Sequence, residues 1–348
     1  MTVVGKGTAV TGLTLCLIGG MSTFAYSQTK SLIIGGYGGT FEKTMREEVI
    51  PPFEKAHGVK VEYIAGNSTD TLAKMQAQRS NLPFDVMLLD DGPMYQAIEL
   101  GFCKPLSNLP SDEIYDVARF PEDKAVAVGM VATGLMYNKD YFVKQGWDAP
   151  TSWADLADPK YKGKIVIPPI NNTYGLHTVL MFAKMNGGDE NNIDPGFDAM
   201  IEKVNDNVLA YEPSPGKMTE LFQSGQTVLG VWGTGRVKSF AQTGFPIAFV
   251  YPKEKAVTLL AATCAIDKPD ASPMAEAFIK ELLTPRVQKL MLTEYGYGPS
   301  NKAVEVPENE RDMTPRGETI DKLYTADWTV INKERENWTK RWNREVER

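Results

Sequence analysis

The stretch SLIIGGYGGTFEKTM, Ser31 to Met45, runs a short apolar strand into a glycine-rich turn and on into a helical pattern. A turn of this kind often cradles phosphate, so its reading decides between a nucleotide fold and something else. The dinucleotide fingerprint G-x-G-x-x-G, counted from Gly36, needs a third glycine where Phe41 stands, and an acidic residue about 20 positions on. The second strand, EYIAGN, ends instead in Gly66 and Asn67. A phosphate loop would require Gly-Lys-Ser/Thr, which does not occur here. What remains is bare backbone. Four glycines around Tyr37, Gly38 and Gly39 among them, let a ligand approach main-chain N–H groups. Thr40 stands where a helix cap would, and Tyr37 forms an aromatic wall at the carboxyl end of a strand, where open α/β sheets bind ligands. A tight turn without a ligand is the alternative reading.

Outward from this stretch the alternation continues. TFEKTMREEVIPPFEKAHG reads as a helical region interrupted at Pro51-Pro52, VKVEYIAG as a strand, and STDTLAKMQAQRSN as a helix capped by Ser68. FDVMLLD lacks alternation and reads as a strand buried on both faces. GPMYQAIELG follows as a helix with Pro93 at its first position and Gly101 beyond its end. Strand and helix in strict alternation mean a parallel sheet with helices on both faces. Residues 126–139 form a long extended stretch, then comes a second α/β series, and residues 246–266 are again long and extended. Two such stretches flanking a middle segment give two lobes that the chain crosses twice. The expected division is lobe I at 28–132 and 252–318, lobe II at 133–251, and a C-terminal helical tail at 319–348. In the tail, Trp338 and Trp342 sit four apart on one helical face, a core-packing pattern.

The 348 residues suit two domains of about 150 residues each. A net charge of −7 leaves no basic stripe for nucleic acid. Residues 1–27 have a different character: one lysine without an acid, an apolar run broken by Gly and Thr, then small-residue cleavage patterns at Ala25 and Ser27. That is the layout of a secretory signal peptide. Its removal leaves 36 basic against 44 acidic residues and two cysteines, Cys103 and Cys264. An oxidising compartment permits them to pair, but the residues alone favour two buried free thiols.

Further site candidates sit at the ends of strands. Asp90 and Asp91 close FDVMLL, with Gly92 opening the next helix; the carboxylates suit a cationic group, or simply complement the helix N-terminus. Asn171, Asn172 and Thr173 follow IVIPP as ligand hydrogen-bonders or as ordinary turn residues. In VWGTGRV, Trp232 closes a strand, Thr234 and the glycines open a helix, and Arg236 suits bidentate recognition of a carboxylate or else lies solvated on the helix surface. Zinc spacing and the G-x-S-x-G elbow do not occur. Of the two histidines, His57 reads as a surface residue at a helix end, and His177 lies on an apolar helix as a structural residue.

Together these motifs resemble a known family. SWADLADPKYKGKI, Ser152 to Ile165, is similar to the Trp-x-Asp-Leu…Tyr-Lys-Gly segment that opens the second lobe of bacterial extracellular solute-binding proteins. FDVMLLDDGPMYQAIELGF, VLGVWGTG and EYGYGPSN fall in the matching order, and the chain resembles the spermidine/putrescine-binding branch of ABC-transporter receptors. The resemblance implies a type II periplasmic-binding fold: two α/β lobes, two crossover strands and a ligand cleft between them. By position it implies ligand contacts at Tyr37, Asp90, Gly92, an aromatic platform at Trp232 and a cleft aromatic at Tyr297. It further implies a monomeric periplasmic receptor that serves an inner-membrane ABC permease with its ATPase, without cofactor, metal or catalysis. Polyamine binders carry Trp-x-Asp on the second crossover, where this chain has Leu260, Ala261 and Ala262. Without that amine grip, Arg236 at one end and Asp90/Asp91 at the other point to a small zwitterion such as an amino acid or 4-aminobutyrate. The rivals are a polyamine receptor, a thiaminase-type enzyme with a cleft cysteine, and a ferric-ion receptor, for which Tyr295 and Tyr297 lack the usual adjacency.

Overall fold

A computed structural model of the chain describes residues 1–5, 7, 31–107, 109–320 and 322–347, with Thr40, Gly317 and Glu318 described as backbone only. The expected signal segment lies outside the described residues, apart from its first few.

Among the described residues, nine strands build one continuous sheet. In lobe I, β1 (Ser31–Tyr37) pairs in parallel with β2 (Lys60–Gly66) and β3 (Val86–Asp90). The long β4 (Val126–Asn138) then leaves for lobe II, where β5 (Ile165–Ile167) pairs in parallel with β6 (Val208–Tyr211) and β7 (Leu229–Gly233). Next come β8 (Ile247–Val250) and β9 (Val257–Ala265), the return crossover. The order is β2-β1-β3-β9-β4-β7-β5-β6, with β8 on the far end of β4. Each lobe is thus a parallel trio closed by an antiparallel strand that belongs equally to the other lobe: β9 lies against β3, β4 against β7, and the two pair with each other from Val126/Thr263 to Thr133/Val257.

Both faces of the sheet are covered, which is why the strands read as unbroken apolar runs. Lobe I has one core around Leu32, Ile34, Phe53 and Phe278, and a second around Met75, Phe84, Met87 and Phe102. Lobe II likewise packs Trp153, Phe197 and Trp342 on one face and Met136, Val166 and Phe222 on the other.

Several local expectations change. The helical run at Pro51-Pro52 is not interrupted; a π-helical turn, Met45–Val49, precedes the prolines, which fall in the first turn of Ile50–His57, where their missing N–H groups are needed least. Asn67, not Ser68, caps the helix Ser68–Ala77, accepting from the Asp70 amide at 2.8 Å. The stretch 246–266 is two strands, because Pro252 to Lys255 make a turn with a Lys255 N to Pro252 O bond of 2.9 Å. TSWADLADP forms only a short 3-10 turn, Trp153–Ala157, closed by a Ser152/Asp155 capping box.

The cysteines are a clear correction. Cys103 and Cys264 form a disulfide, not two free thiols. The partners are 161 residues apart in sequence, but Cys103's neighbours already lie along the end of β9: Lys104 N donates to Ala265 O at 3.0 Å. Sequence distance hid a pairing that the return crossover creates. A bond closing so long a loop is worth about 2–4 kcal/mol. Unfolding free energies from denaturant titrations with and without reductant should differ by that amount.

The C-terminal helix Trp328–Glu345 is no loose tail. Trp328 is buried against Gly92, where an added methyl carbon would sit 2.7 Å from the indole, and its ring lies 5.8 Å from His177 of lobe II. Asn332 donates to Gly92 O at 2.9 Å. Farther along, Arg341 pairs with Asp194 at 2.5 Å and Trp342 meets Tyr211 edge-on at 4.8 Å. The helix therefore touches elements of both lobes.

Candidate functional site

The carboxyl ends of β1 and β3 bring Tyr37 and Asp90 together: the Tyr37 hydroxyl donates to Asp90 Oδ1 at 3.0 Å. Tyr37 is held from behind, since the Tyr63 hydroxyl donates to Tyr37 O at 2.8 Å. Asp90 is held by Ser68, whose Oγ accepts from the Asp90 amide at 3.0 Å and which also bonds the carboxylate. Burial raises the Asp90 pKa above the usual carboxylate range, opposed by the bonds from Tyr37 and Ser68 and by the charges of Arg335 and Arg236. Burial and the Asp90 charge together push the Tyr37 phenol well up.

Lobe II answers with Tyr174 and Arg236. Tyr174 opens the helix Thr173–Met185, where Asn172 caps the turn by accepting from the Tyr174 amide at 3.0 Å. Arg236 lies in the first turn of the helix Thr234–Ala241 and hydrogen-bonds the Tyr174 hydroxyl, whose pKa burial pushes up to about 12. The Arg236 side chain is exposed, and among the described residues it forms no ion pair. Tyr297 completes the group. Its phenol, raised by burial, feels Tyr174, Arg236 and Asp90 at once. So Tyr37 and Asp90 of lobe I, Tyr174 and Arg236 of lobe II, and Tyr297 between them form one electrostatic cluster.

The Arg236 helix is fixed against lobe I. A methyl carbon at Gly235 would stand 2.4 Å from Tyr295 O. Lys238 donates to Leu292 O at 2.8 Å and pairs with Glu310 at 2.8 Å.

Other expected site residues face elsewhere. Trp232 is 4% exposed and packs with Met136, Val166, Phe222 and Phe240; it fills the lobe II core and presents no platform, because β7 is buried on both faces. Thr234 is fully buried, its hydroxyl accepting from the Ala132 amide at 3.3 Å. Thr173 is buried at the helix start. Asp91 turns inward, accepting from the Leu260 amide at 3.2 Å, the Gly92 amide at 3.1 Å and the Trp328 indole. Gly92 is bare because Trp328 presses on it, a structural reason in place of a ligand contact. The first glycines of the loop serve packing: carbon added at Gly35 would meet Phe84 at 2.9 Å, and at Gly36 the Tyr63 hydroxyl at 2.5 Å. Only Gly38 and Gly39 are exposed, Gly39 at φ 71° heading the helix that begins at Thr40; the Thr40 side chain lies outside the described part.

Two members escaped the sequence reading. Tyr174 is two residues past Asn172 and shares its signal, a strand end opening a helix. Arg335 had no signal: it lies on the C-terminal helix, yet its guanidinium bonds Asn171 O at 3.0 Å and faces Asp90 and Asp91.

His177 is fully buried on the apolar helix, its Nδ1 2.8 Å from Thr133 Oγ1. Burial, then the Arg335 charge, lowers its pKa to about 3, so the ring is neutral at pH 7. It is a structural residue, as its apolar surroundings in sequence imply.

The sequence profile described as bacterial extracellular solute-binding protein matches residues 48–314. The chain is 28% identical over 218 residues to an uncharacterized protein of Haemophilus influenzae, spanning 60% of each chain. It is 25% identical over 293 residues to the spermidine/putrescine-binding periplasmic protein of Escherichia coli, spanning 78% of this chain and 82% of that one. A solved ABC transporter structure from Clostridium perfringens superposes with a TM-score of 0.76 at 24% identity, covering 90% of this chain and 99% of that one. Two α/β lobes sharing two crossover strands, with that profile across most of the sequence, place this chain in the family of bacterial extracellular solute-binding proteins.

Proposed function

We propose that the protein is the periplasmic receptor of an ABC importer and captures a small amino-acid-like zwitterion, such as an amino acid or 4-aminobutyrate, between its lobes. One observation carries the ligand class: Arg236, unpaired and bonded to Tyr174, shares a cluster with the Tyr37–Asp90 pair from the opposite lobe. The guanidinium takes the acid end of the solute by paired charge-assisted bonds. Asp90, steadied by Tyr37 and Ser68, takes the amine. Closure about β4 and β9 then excludes water from both contacts. Affinity near 1 μM needs about 8 kcal/mol, which two such ends and aromatic walls supply. The closed form delivers its solute unchanged to a permease that carries its own ATPase, and residues 1–27 serve as the export signal.

A polyamine fits less well. It has no acid for Arg236, and Arg335 adds a second positive charge beside Asp90. The thiaminase-type rival loses its nucleophile, because Cys103 and Cys264 are bonded to each other. The ferric-ion rival usually coordinates through adjacent tyrosines, whereas Tyr295 and Tyr297 are two apart and Tyr295 bonds Thr44.

Calorimetric titration of desalted protein with amino acids, 4-aminobutyrate, putrescine and spermidine tests this. Binding heat is expected with a zwitterion. Heat with the polyamines alone would overturn the zwitterion reading and leave the family assignment standing.

A further inference from the structure

Behind the crossovers, on the side away from the Tyr174–Arg236 cluster, lies a second concave surface. Side chains alternate along a strand, and β4 shows which face is which. Thr133 meets His177, and Val131 lies against the bare α-carbon of Gly233 beside Tyr174. Ala132, between them, faces the other way and packs with Ala256 and Leu323. Those two residues line a cavity of about 540 Å³ between the β8–β9 turn and the segment that leads into the C-terminal helix.

Its charged lining is Lys253, Lys255, Arg311, Arg316 and Lys322, with no carboxylate among the lining residues. Lys253 touches Glu254 at 4.0 Å; among the described residues the other four cations make no ion pair. Arg311 and Arg316 donate only to main-chain carbonyls, of Val306 and Arg311. Asp312, whose charge reaches Tyr251, does not line the cavity. Like charges gathered on one wall repel unless a counter-charge joins them.

A backbone feature fixes one wall of this space. Lys255 has a φ of 90°, in the left-handed region that disfavours residues with a β-carbon. Trp153 Nε1 donates to its carbonyl at 2.8 Å, and its amide donates to Pro252 O, so the turn is held in that form and the lysine is set at the cavity wall. Strain held this firmly is typical of ligand clamps.

We infer that this cavity is a second binding site, separate from the interlobe cleft, for a small multivalent anion: a phosphorylated or polycarboxylate compound. Its charged groups span Lys255 and Lys322, and its body lies over Ala256 and Leu323. The inference does not depend on what the cleft binds.

The test is calorimetric titration of the full chain with pyrophosphate and with citrate. Saturable single-site binding that weakens as salt rises is expected. Lys255→Gln and Lys322→Gln, both at exposed side chains, should each weaken it about tenfold, the value of a lost charge-assisted bond. Arg236→Gln should leave it unchanged. Tighter pyrophosphate assigns the site to phosphorylated compounds, tighter citrate to polycarboxylates. Absence of saturable binding by either anion overturns the inference. So does binding lost in Arg236→Gln and retained in Lys322→Gln, which would move the anion to the cleft.

Discussion

Replacing Arg236 by Gln should weaken zwitterion binding by about 30- to 1,000-fold, the range for losing one partner of a desolvated charge pair. The free protein should melt as before, since the side chain is exposed and no ion pair is lost. Tyr174→Phe removes only the hydroxyl that orients the guanidinium, so a loss of about fivefold is expected, the worth of one neutral hydrogen bond. Titration of both variants against wild type separates the two roles. An Arg236→Gln protein that binds its zwitterion undiminished would mean the acid end lies elsewhere, and the proposed orientation would fall.

The second large effect concerns pH. Asp91 and His177 both flank Trp328 and both have displaced pKa values, in opposite senses. Burial, then the neighbouring Asp90 charge, raises Asp91 from 3.8 to about 7. Burial, then Arg335, lowers His177 from 6.5 to about 3. The signs follow from proton counts. Between its two pKa values, Asp91 holds a proton in the folded state that the unfolded chain has released, so stability is lost as pH rises. His177 in its own window is neutral when folded and charged when unfolded, so stability is lost as pH falls. Each slope is about 1.4 kcal/mol per pH unit, and the windows overlap from about pH 4 to about pH 6.5. The two contributions cancel there.

Asp91→Asn unmasks the histidine: relative to wild type, its stability should fall by about 3 kcal/mol from about pH 6.5 to about pH 4. His177→Gln unmasks the aspartate and should gain a similar amount over the same interval. Urea midpoints at three pH values give the slopes. Parallel profiles for wild type and Asp91→Asn would show that the carboxyl keeps an ordinary pKa.

What the sequence could express was the local part. Unbroken apolar runs such as Val86–Leu89 announce a doubly covered strand by their own composition, and the order of runs dictates a two-lobe topology. Tyr37 and Asp90 could be singled out from sequence because strand ends are where such sheets bind ligands, and the structure brings the two side chains together. Trp232 was misjudged for the same reason. A strand end is a position, and which way a side chain points there depends on the pleat and on what packs above it. Asp91 shows the point: one residue past Asp90 the direction reverses, and the carboxylate faces Leu260 and Trp328. Arg335 and the Cys103–Cys264 bond depend on contacts between segments 161 or more residues apart, which no local pattern encodes.

The C-terminal helix has a consequence for the order of synthesis. Trp338 and Trp342 belong to the apolar cluster that also holds Trp153 and Phe197, and Trp328 seals Gly92 beside β3. A ribosome must therefore make residues 328–346 before either lobe can finish packing, although most of both lobes has emerged by then. Until that moment the nascent chain keeps part of its apolar surface open to water.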